Sequence, residues 1–459
     1  MQCVIGKSSQ VDTKNRTSLM TFFTITQEFI LWLRHYLAPL IDLLSHFVPS
    51  LQKRKIFEEL NHFARSSESF KKRQVVADLC FEVSSEGEWE QVAVLANEEI
   101  SRGKCVEIIY SSPSLEKKMG LLFEQFPQQV RCLRLPFLNP TTLFDWVTAS
   151  TLILCRYDFF PELLALKWQK QMRLILMSAT LKGKNLERFY TRYYLRSLYR
   201  QFDLIYTSTE KDCQLFLQLG LDSTKVKKFE LRDRQIIHRQ ESSTETFKLK
   251  GLMSFASFLN SYPRERRIVL GSCWPNEMDI FRNERLQQQI LSSEVLVVLS
   301  PHKLGQDFLL EMIKNLRRAA PQIPIQRIDS KTESFDKGSI LISEIPGVLC
   351  ETYSLFGSSY VGGGFGRSIH SVSEPFWSGC RIVVGPKTHR STEYDFVYEN
   401  CREDISVVSQ LSEVSQRLLQ DDSDYLAQRL RKRDELKRRA IEQSMQIMAH
   451  LRHCLEDIC

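Results

Sequence analysis

Thr151-Leu152-Ile153-Leu154-Cys155 and Val295-Leu296-Val297-Val298-Leu299 are the stretches whose reading decides the fold. Both are uncharged and almost continuously apolar, and Leu174-Ile175-Leu176-Met177 has the same character. A strand with one wet face alternates polar and apolar residues, whereas a strand covered on both faces does not. Working outward from these runs, further strands are predicted at 75–83, 106–110, 173–177 and 202–206. A second series is predicted at 267–271, 294–299, 325–328, 339–342, 359–361 and 381–384. Helical stretches separate them. Strands alternating with helices predict parallel sheets covered by helices, an α/β fold.

The stretch 238–265 is richer in Ser, Thr and charge and separates the two series. The expected architecture is two Rossmann-like domains with a cleft between the C-terminal edges of their sheets, where ligands bind in such folds. The divisions read from the sequence are 1–50 (polar extension and amphipathic helix), 51–237 (first domain), 238–265 (linker), 266–424 (second domain) and 425–459 (a long polar helix).

The chain has 459 residues, 43% hydrophobic and 25% charged, with net charge +7. That composition excludes collagen-like, disordered and polytopic membrane classes. The 12 cysteines are scattered with no C-x-x-C, so they read as reduced thiols and not as a disulfide framework or zinc site. Cations cluster at Lys53-Arg54-Lys55, Lys71-Lys72-Arg73, Arg431-Lys432-Arg433 and Lys437-Arg438-Arg439. Such clusters fit nucleic acid, an anionic membrane or an acidic substrate. The C-terminal run, interleaved with Asp434, Glu435 and Glu442, reads as a solvated helix face.

Apolar residues at 22, 25, 29, 32, 33, 36, 37, 40, 44 and 47 follow helical spacing. Glu28, Arg34, His35 and Asp42 interrupt them, so no run approaches the roughly 18 residues of a spanning helix. The prediction is an amphipathic helix in a membrane interface, kinked or broken at Pro39, with Trp32 and Tyr36 at headgroup level. The competing prediction is a helix packed on the protein's own body. Residues 1–18 read as a polar extension, and Met20 offers an internal start.

Three segments carry candidate chemistry. Ser84-Ser85-Glu86-Gly87-Glu88-Trp89-Glu90 turns from strand to helix, where a carboxylate can take a proton from a hydroxyl, or the serines can simply cap the helix. Gly362, Gly363 and Gly364 follow a strand, with Gly366, Arg367, His370 and Glu374 after them. Their backbone N–H groups can approach a phosphate, Arg367 and His370 add positive charge, and Glu374 can accept from a ribose diol. It is neither a Walker A loop nor a G-x-G-x-x-G fingerprint. Finally, Gly271-Ser272-Cys273-Trp274-Pro275 and Ser300-Pro301-His302-Lys303 end two further strands, with His302 and Lys303 suited to phosphate or carboxylate. No D-x-D metal motif is evident in these segments.

Together these segments resemble the 3-deoxy-D-manno-octulosonic acid (Kdo) transferase family. The family's S-x-G-E turn corresponds to Ser85–Glu88, its E/D-x-W/F-P run to 157–161, and its G-S-T-W-P to Gly271–Pro275. Its P-H turn corresponds to Pro301-His302 and its V-G-G-G-F-G closing segment to Val361–Pro386. The resemblance spans residues from about 22 to 400. It implies a GT-B fold, an N-terminal membrane anchor, CMP-Kdo as donor, the lipid A precursor (lipid IVA) as acceptor, inversion at the sugar carbon, and no cofactor or metal. It also implies the cytoplasmic face of a Gram-negative inner membrane, with no nucleic-acid partner. By position Glu88 is the implied catalytic base. Ser272, His302, Lys303, Gly362, Gly363, Gly364, Arg367, His370 and Glu374 are the implied donor-binding set, and Arg232 matches a further basic position. The chain departs from the pattern at Cys273, Ser371, 347–349 and Arg381-Ile382, changes expected to lie mostly beside the nucleotide. They motivate two alternatives: a GT-B enzyme using another sugar nucleotide, or an inactive membrane-associated homologue.

Overall fold

A computed structural model of the chain describes residues 9–63, 75–136, 141–156, 159–229, 231–389, 391–420 and 423–456. The cations at 71–73 and the pair Tyr157-Asp158 lie outside the described residues. The chain divides into two compact units, Met1–Arg232 with Ser444–Cys459, and Asp233–Gln443.

The first unit holds β1 (Leu79–Val83), β2 (Val106–Tyr110), β3 (Val130–Arg134), β4 (Thr151–Cys155), β5 (Arg173–Ala179), β6 (Leu204–Thr207) and β7 (Val226–Lys228). They form one parallel sheet in the order β3-β2-β1-β4-β5-β6-β7. The second unit holds β8 (Arg267–Cys273), β9 (Leu296–Pro301), β10 (Ile325–Ile328), β11 (Ile340–Ser343), β12 (Ser358–Val361), β13 (Arg381–Val384) and β14 (Ile405–Val407). Their order is β10-β11-β9-β8-β12-β13-β14, again parallel. Every residue of β4 is buried, as is every residue of the 295–299 run, so the continuous apolar stretches do mark strands covered on both faces.

Three strands were not predicted. β3 carries Arg131 and Arg134, which argued against a buried strand. Arg131 is nonetheless buried, paired with Glu107 at the facing register position of β2. Glu107 also accepts from the Thr148 backbone N–H at 2.8 Å and its hydroxyl at 2.6 Å, so the buried charges satisfy each other. β7 and β14 are three-residue edge strands, too short to show a period.

The 238–265 stretch is not an extended linker. It contains helices Ser243–Leu249 and Met253–Leu259, which bury Phe247, Phe255 and Leu259 within the second unit. The polar residues lie between these apolar anchors and dominate composition without deciding burial. Near the C-terminus, helix Ser423–Glu456 contributes Arg429 and Arg433 to the second unit, both paired with Asp404, and Ile447 to the first unit's core.

Helix Ser9–Ser45 continues through Pro39, so the break expected there does not occur. Phe23, Gln27 and Leu31 are buried, and Arg34 pairs at 2.9 Å with the fully buried Glu162 of helix Pro161–Gln169. The opposite face, with Ile25, Phe29, Trp32, Tyr36 and Leu40, is exposed, Trp32 by 53% and Tyr36 by 64%. Helix Phe189–Tyr199 meets it where the Phe23 and Tyr194 rings lie 6.1 Å apart, and it exposes Phe189 by 75% and Tyr190 by 86%. No helix among the described residues is long and apolar enough to cross a membrane.

Both sheets change direction at a switch point. Connections run to one side from β1 and to the other from β4. In the second sheet the corresponding pair is β8 and β12. The crevice at the carboxyl ends of such a pair is where open α/β sheets bind ligands.

Candidate active site

In the first unit the switch point lies at the end of β1, where Ser84 leads into helix Glu86–Ser101. Ser85 is the N-cap, accepting from the Glu88 backbone N–H at 3.3 Å. The capping reading therefore holds, and it is compatible with a chemical role because capping uses the Glu88 backbone and not its carboxylate. Oε2 of Glu88 accepts from Ser84, from the backbone N–H at 2.8 Å and from the hydroxyl at 2.6 Å. Oε1 takes no hydrogen bond among the described residues. Glu88 is 8% exposed. The flanking acids point elsewhere, Glu86 and Glu90 both pairing with Lys118 at 2.9 and 3.0 Å. Of three closely spaced carboxylates, only Glu88 is held at the sheet edge. On adjacent strand ends, Arg156 follows β4 and Ser178, in β5, donates to Gln91 at 3.0 Å; both have positive φ, at 69° and 52°.

In the second unit the donor set converges on the ends of β8, β9 and β12. Ser272 adopts φ 53°, a left-handed conformation that a non-glycine residue holds at a cost of about 1–2 kcal/mol. The His302 backbone N–H donates to the Cys273 carbonyl at 2.9 Å, joining the β9 turn to β8. The Gly loop is fixed from beneath by Glu277, a buried carboxylate in the turn Pro275–Arg282. It accepts from the Trp274 backbone N–H at 2.9 Å, the Tyr360 hydroxyl at 2.8 Å and the Gly363 N–H at 2.7 Å. Burial pushes its carboxyl up, against the pull of these donors. A Cβ on Gly362 would fall on the Ser272 carbonyl and the Glu277 carboxylate. At Gly363, φ is 91° and a Cβ would strike the Ser368 carbonyl. Both positions therefore demand glycine for close packing.

His302 and His370 stack with centroids 4.2 Å apart, and Trp274 stacks on His302 at 4.7 Å. Burial, with the charge of Lys303 for His302 and of His302 for His370, holds both imidazoles below their ordinary value. Lys303, next to His302 in the chain, and Arg367, three residues before His370, are both exposed. Glu374 is the second residue of the short helix Ser373–Trp377, where its backbone carbonyl accepts from Gln240 at 2.7 Å.

Arg232 lies in the first turn of helix Leu231–Glu241, at the chain's crossing from first unit to second. Of the departures, Cys273 is fully buried behind the turn, and Ser371 donates to Glu393 at 2.8 Å. Arg381 is not beside the nucleotide loops. It begins β13, at the opposite end of the strand, and donates to the Gln420 and Leu418 carbonyls at 2.7 and 2.8 Å. Sequence reasoning missed Glu277 and Tyr360. The available signal was an acid three residues after Trp274 in a W-P-x-E turn.

Residues 54–230 match the model of a family described as 3-deoxy-D-manno-octulosonic-acid transferase (kdotransferase). Over that segment the chain is similar to the Kdo transferases. A 3-deoxy-D-manno-octulosonic acid transferase of Chlamydia muridarum (strain MoPn / Nigg) is 22% identical over 319 residues, 68% of this chain and 69% of that protein. Among solved structures, the UDP-GlcNAc 2-epimerase of Neisseria meningitidis bound to UDP-GlcNAc superposes with TM-score 0.54 at 11% identity, covering 78% of this chain and 94% of that one. An Arabidopsis thaliana UGT complexed with quercetin gives 0.52 at 10% identity, covering 83% and 100%. These structural likenesses establish the fold, which is GT-B. The similarity to Kdo transferases supports a glycosyltransferase, here on a GT-B fold.

Proposed function

We propose that this protein transfers Kdo from CMP-Kdo to the lipid A precursor, lipid IVA, with inversion and without a metal. The observation that carries the reading is the isolation of Glu88 at the first sheet's switch point, its neighbours Glu86 and Glu90 being taken up by Lys118. In this mechanism Glu88 takes the proton from the acceptor's primary hydroxyl as that oxygen attacks the anomeric carbon. The bond to CMP breaks, and its phosphate is met by the Gly364 N–H and by Ser272, His302, Lys303, Arg367 and His370, while Gly362 and Gly363, whose N–H groups go to the Gly271 carbonyl and to Glu277, shape the loop. Glu374 holds the ribose. Arg232 lies close in sequence to the second unit and contributes a further cation.

The acceptor is a lipid, and the exposed apolar faces support a location at the cytoplasmic surface of the inner membrane. Ile25, Phe29, Trp32 and Tyr36 face outward from one helix, and Phe189 and Tyr190 from another, with Arg188 and Arg192 alongside. Aromatic residues flanked by cations suit the interface of an anionic bilayer.

The altered residues Cys273 and Ser371 favour a second reading, a different sugar nucleotide. Competition separates the two. CMP is expected to protect the Gly-loop segment from hydrogen exchange at concentrations where UDP does not. Protection by UDP alone would contradict the CMP-Kdo assignment.

A further inference from the structure

Trp274 has no role in the donor-binding set, yet its surroundings constrain His370 closely. Its Nε1–H points at Nε2 of His370, 3.1 Å away. His370 is also held by its backbone N–H on the Gly362 carbonyl at 3.1 Å, and its Cδ2–Nε2 edge fills the space a side chain on Gly363 would need. Its ring face lies against His302.

An indole N–H can only donate, so the nitrogen that receives it must present a lone pair. Neutral His370 therefore carries its proton on Nδ1. The other tautomer, and the imidazolium, would each set two N–H groups against one another. The nearby cation acts in the same direction: Lys303 lies beside His302, its ammonium 5.8 Å from the Trp274 ring centre. The nearby acids are engaged: Glu277 on Trp274, Tyr360 and Gly363, and Glu393 on Ser371, Val372 and Ser373.

We propose that Trp274 is a positioning residue that fixes His370 as the Nδ1–H tautomer, so that the His302–His370 stack meets a nucleotide's phosphate as neutral N–H donors and not as a cation. The ligand in this statement rests on the donor-site reading above; the tautomer does not. The consequence is selectivity by charge. A nucleotide-sugar phosphodiester carries one negative charge, and the released monophosphate carries about 1.5 to 2 near neutral pH. Neutral donors give the dianion less advantage than an imidazolium would, so the product is not trapped.

The test uses the full chain labelled with 15N-histidine, read by long-range proton–nitrogen correlation, with H370Q serving only to assign the signal. Wild type is expected to show the Nδ1–H pattern for His370, and W274F to shift it toward Nε2–H. The wild-type pattern decides even if W274F does not fold: an Nε2–H or charged His370 at pH 7.5 overturns the proposal. CMP affinity is then measured by calorimetry from pH 8 to 6. The ratio of W274F affinity to wild-type affinity is expected to rise about three- to tenfold as pH falls, because only the variant lets His370 charge. A flat ratio overturns the selectivity. Absence of CMP binding in wild type overturns the phosphate assignment and the donor reading together, while the His370 pattern still rules on the lock.

Discussion

Glu277 ties its own turn to a loop 86 residues further along the chain, binding Trp274 and Gly363 with one carboxylate. Glu277→Ala strands three buried donors and is expected to destabilise the second unit by about 3 kcal/mol. Tyr360→Phe removes one hydrogen bond and should cost about 1 kcal/mol. Urea unfolding of both variants checks the ordering. The histidines give a pH dependence. Their folded values lie below the ordinary one, so below about pH 6.5 the unfolded chain binds protons that the folded chain does not. The stability they permit is present above about pH 6.5 and declines as pH falls through it. H370Q should flatten that decline in melts taken between pH 8 and 5.5; an unchanged slope would show that His370 does not contribute. At this scale the sequence displayed the glycines, histidines and Glu88, because their types announce their chemistry. It hid Glu277 and Tyr360, whose meaning comes only from a strand pairing of β8 with β12.

Helix Ser9–Ser45 shows what an apolar pattern leaves undetermined. Its stripe was legible, but not which side turned inward. The packed face holds Gln27 and Arg34, polar residues made tolerable by burial partners such as Glu162. The most apolar face is the one left exposed. Burial raises the Glu162 carboxyl and Arg34 opposes that rise, so Arg34→Ala is expected to destabilise the helix's docking by about 3 kcal/mol. Faster proteolysis within 9–45 would report it. The double variant Trp32→Ser, Tyr36→Ser removes exposed groups only. It should leave the melting temperature within about 2 °C and reduce co-sedimentation with phosphatidylglycerol vesicles. Full retention on vesicles would contradict the interfacial role.

Across the whole molecule, the buried runs at 151–155 and 295–299 sufficed to indicate two parallel sheets, because only burial on both faces tolerates such sequences. Short edge strands and the helices within 238–265 escaped for the complementary reason: edges need little apolar surface, and polar residues can surround a few deep anchors. Arg381 belongs to this scale, tying β13 to the end of helix Leu411–Leu418. Arg381→Ala should lower second-unit stability by about 2 kcal/mol while changing CMP affinity less than about twofold. Transfer with Glu88 as base is tested by incubating the detergent-extracted full chain with tetra-acylated lipid A precursor and CMP-Kdo generated in situ, read by mass spectrometry beside Glu88→Gln. Wild type is expected to give products heavier by whole Kdo units, and the variant to lose at least about 100-fold. Undiminished transfer by Glu88→Gln, or no Kdo product from folded wild type, would contradict it.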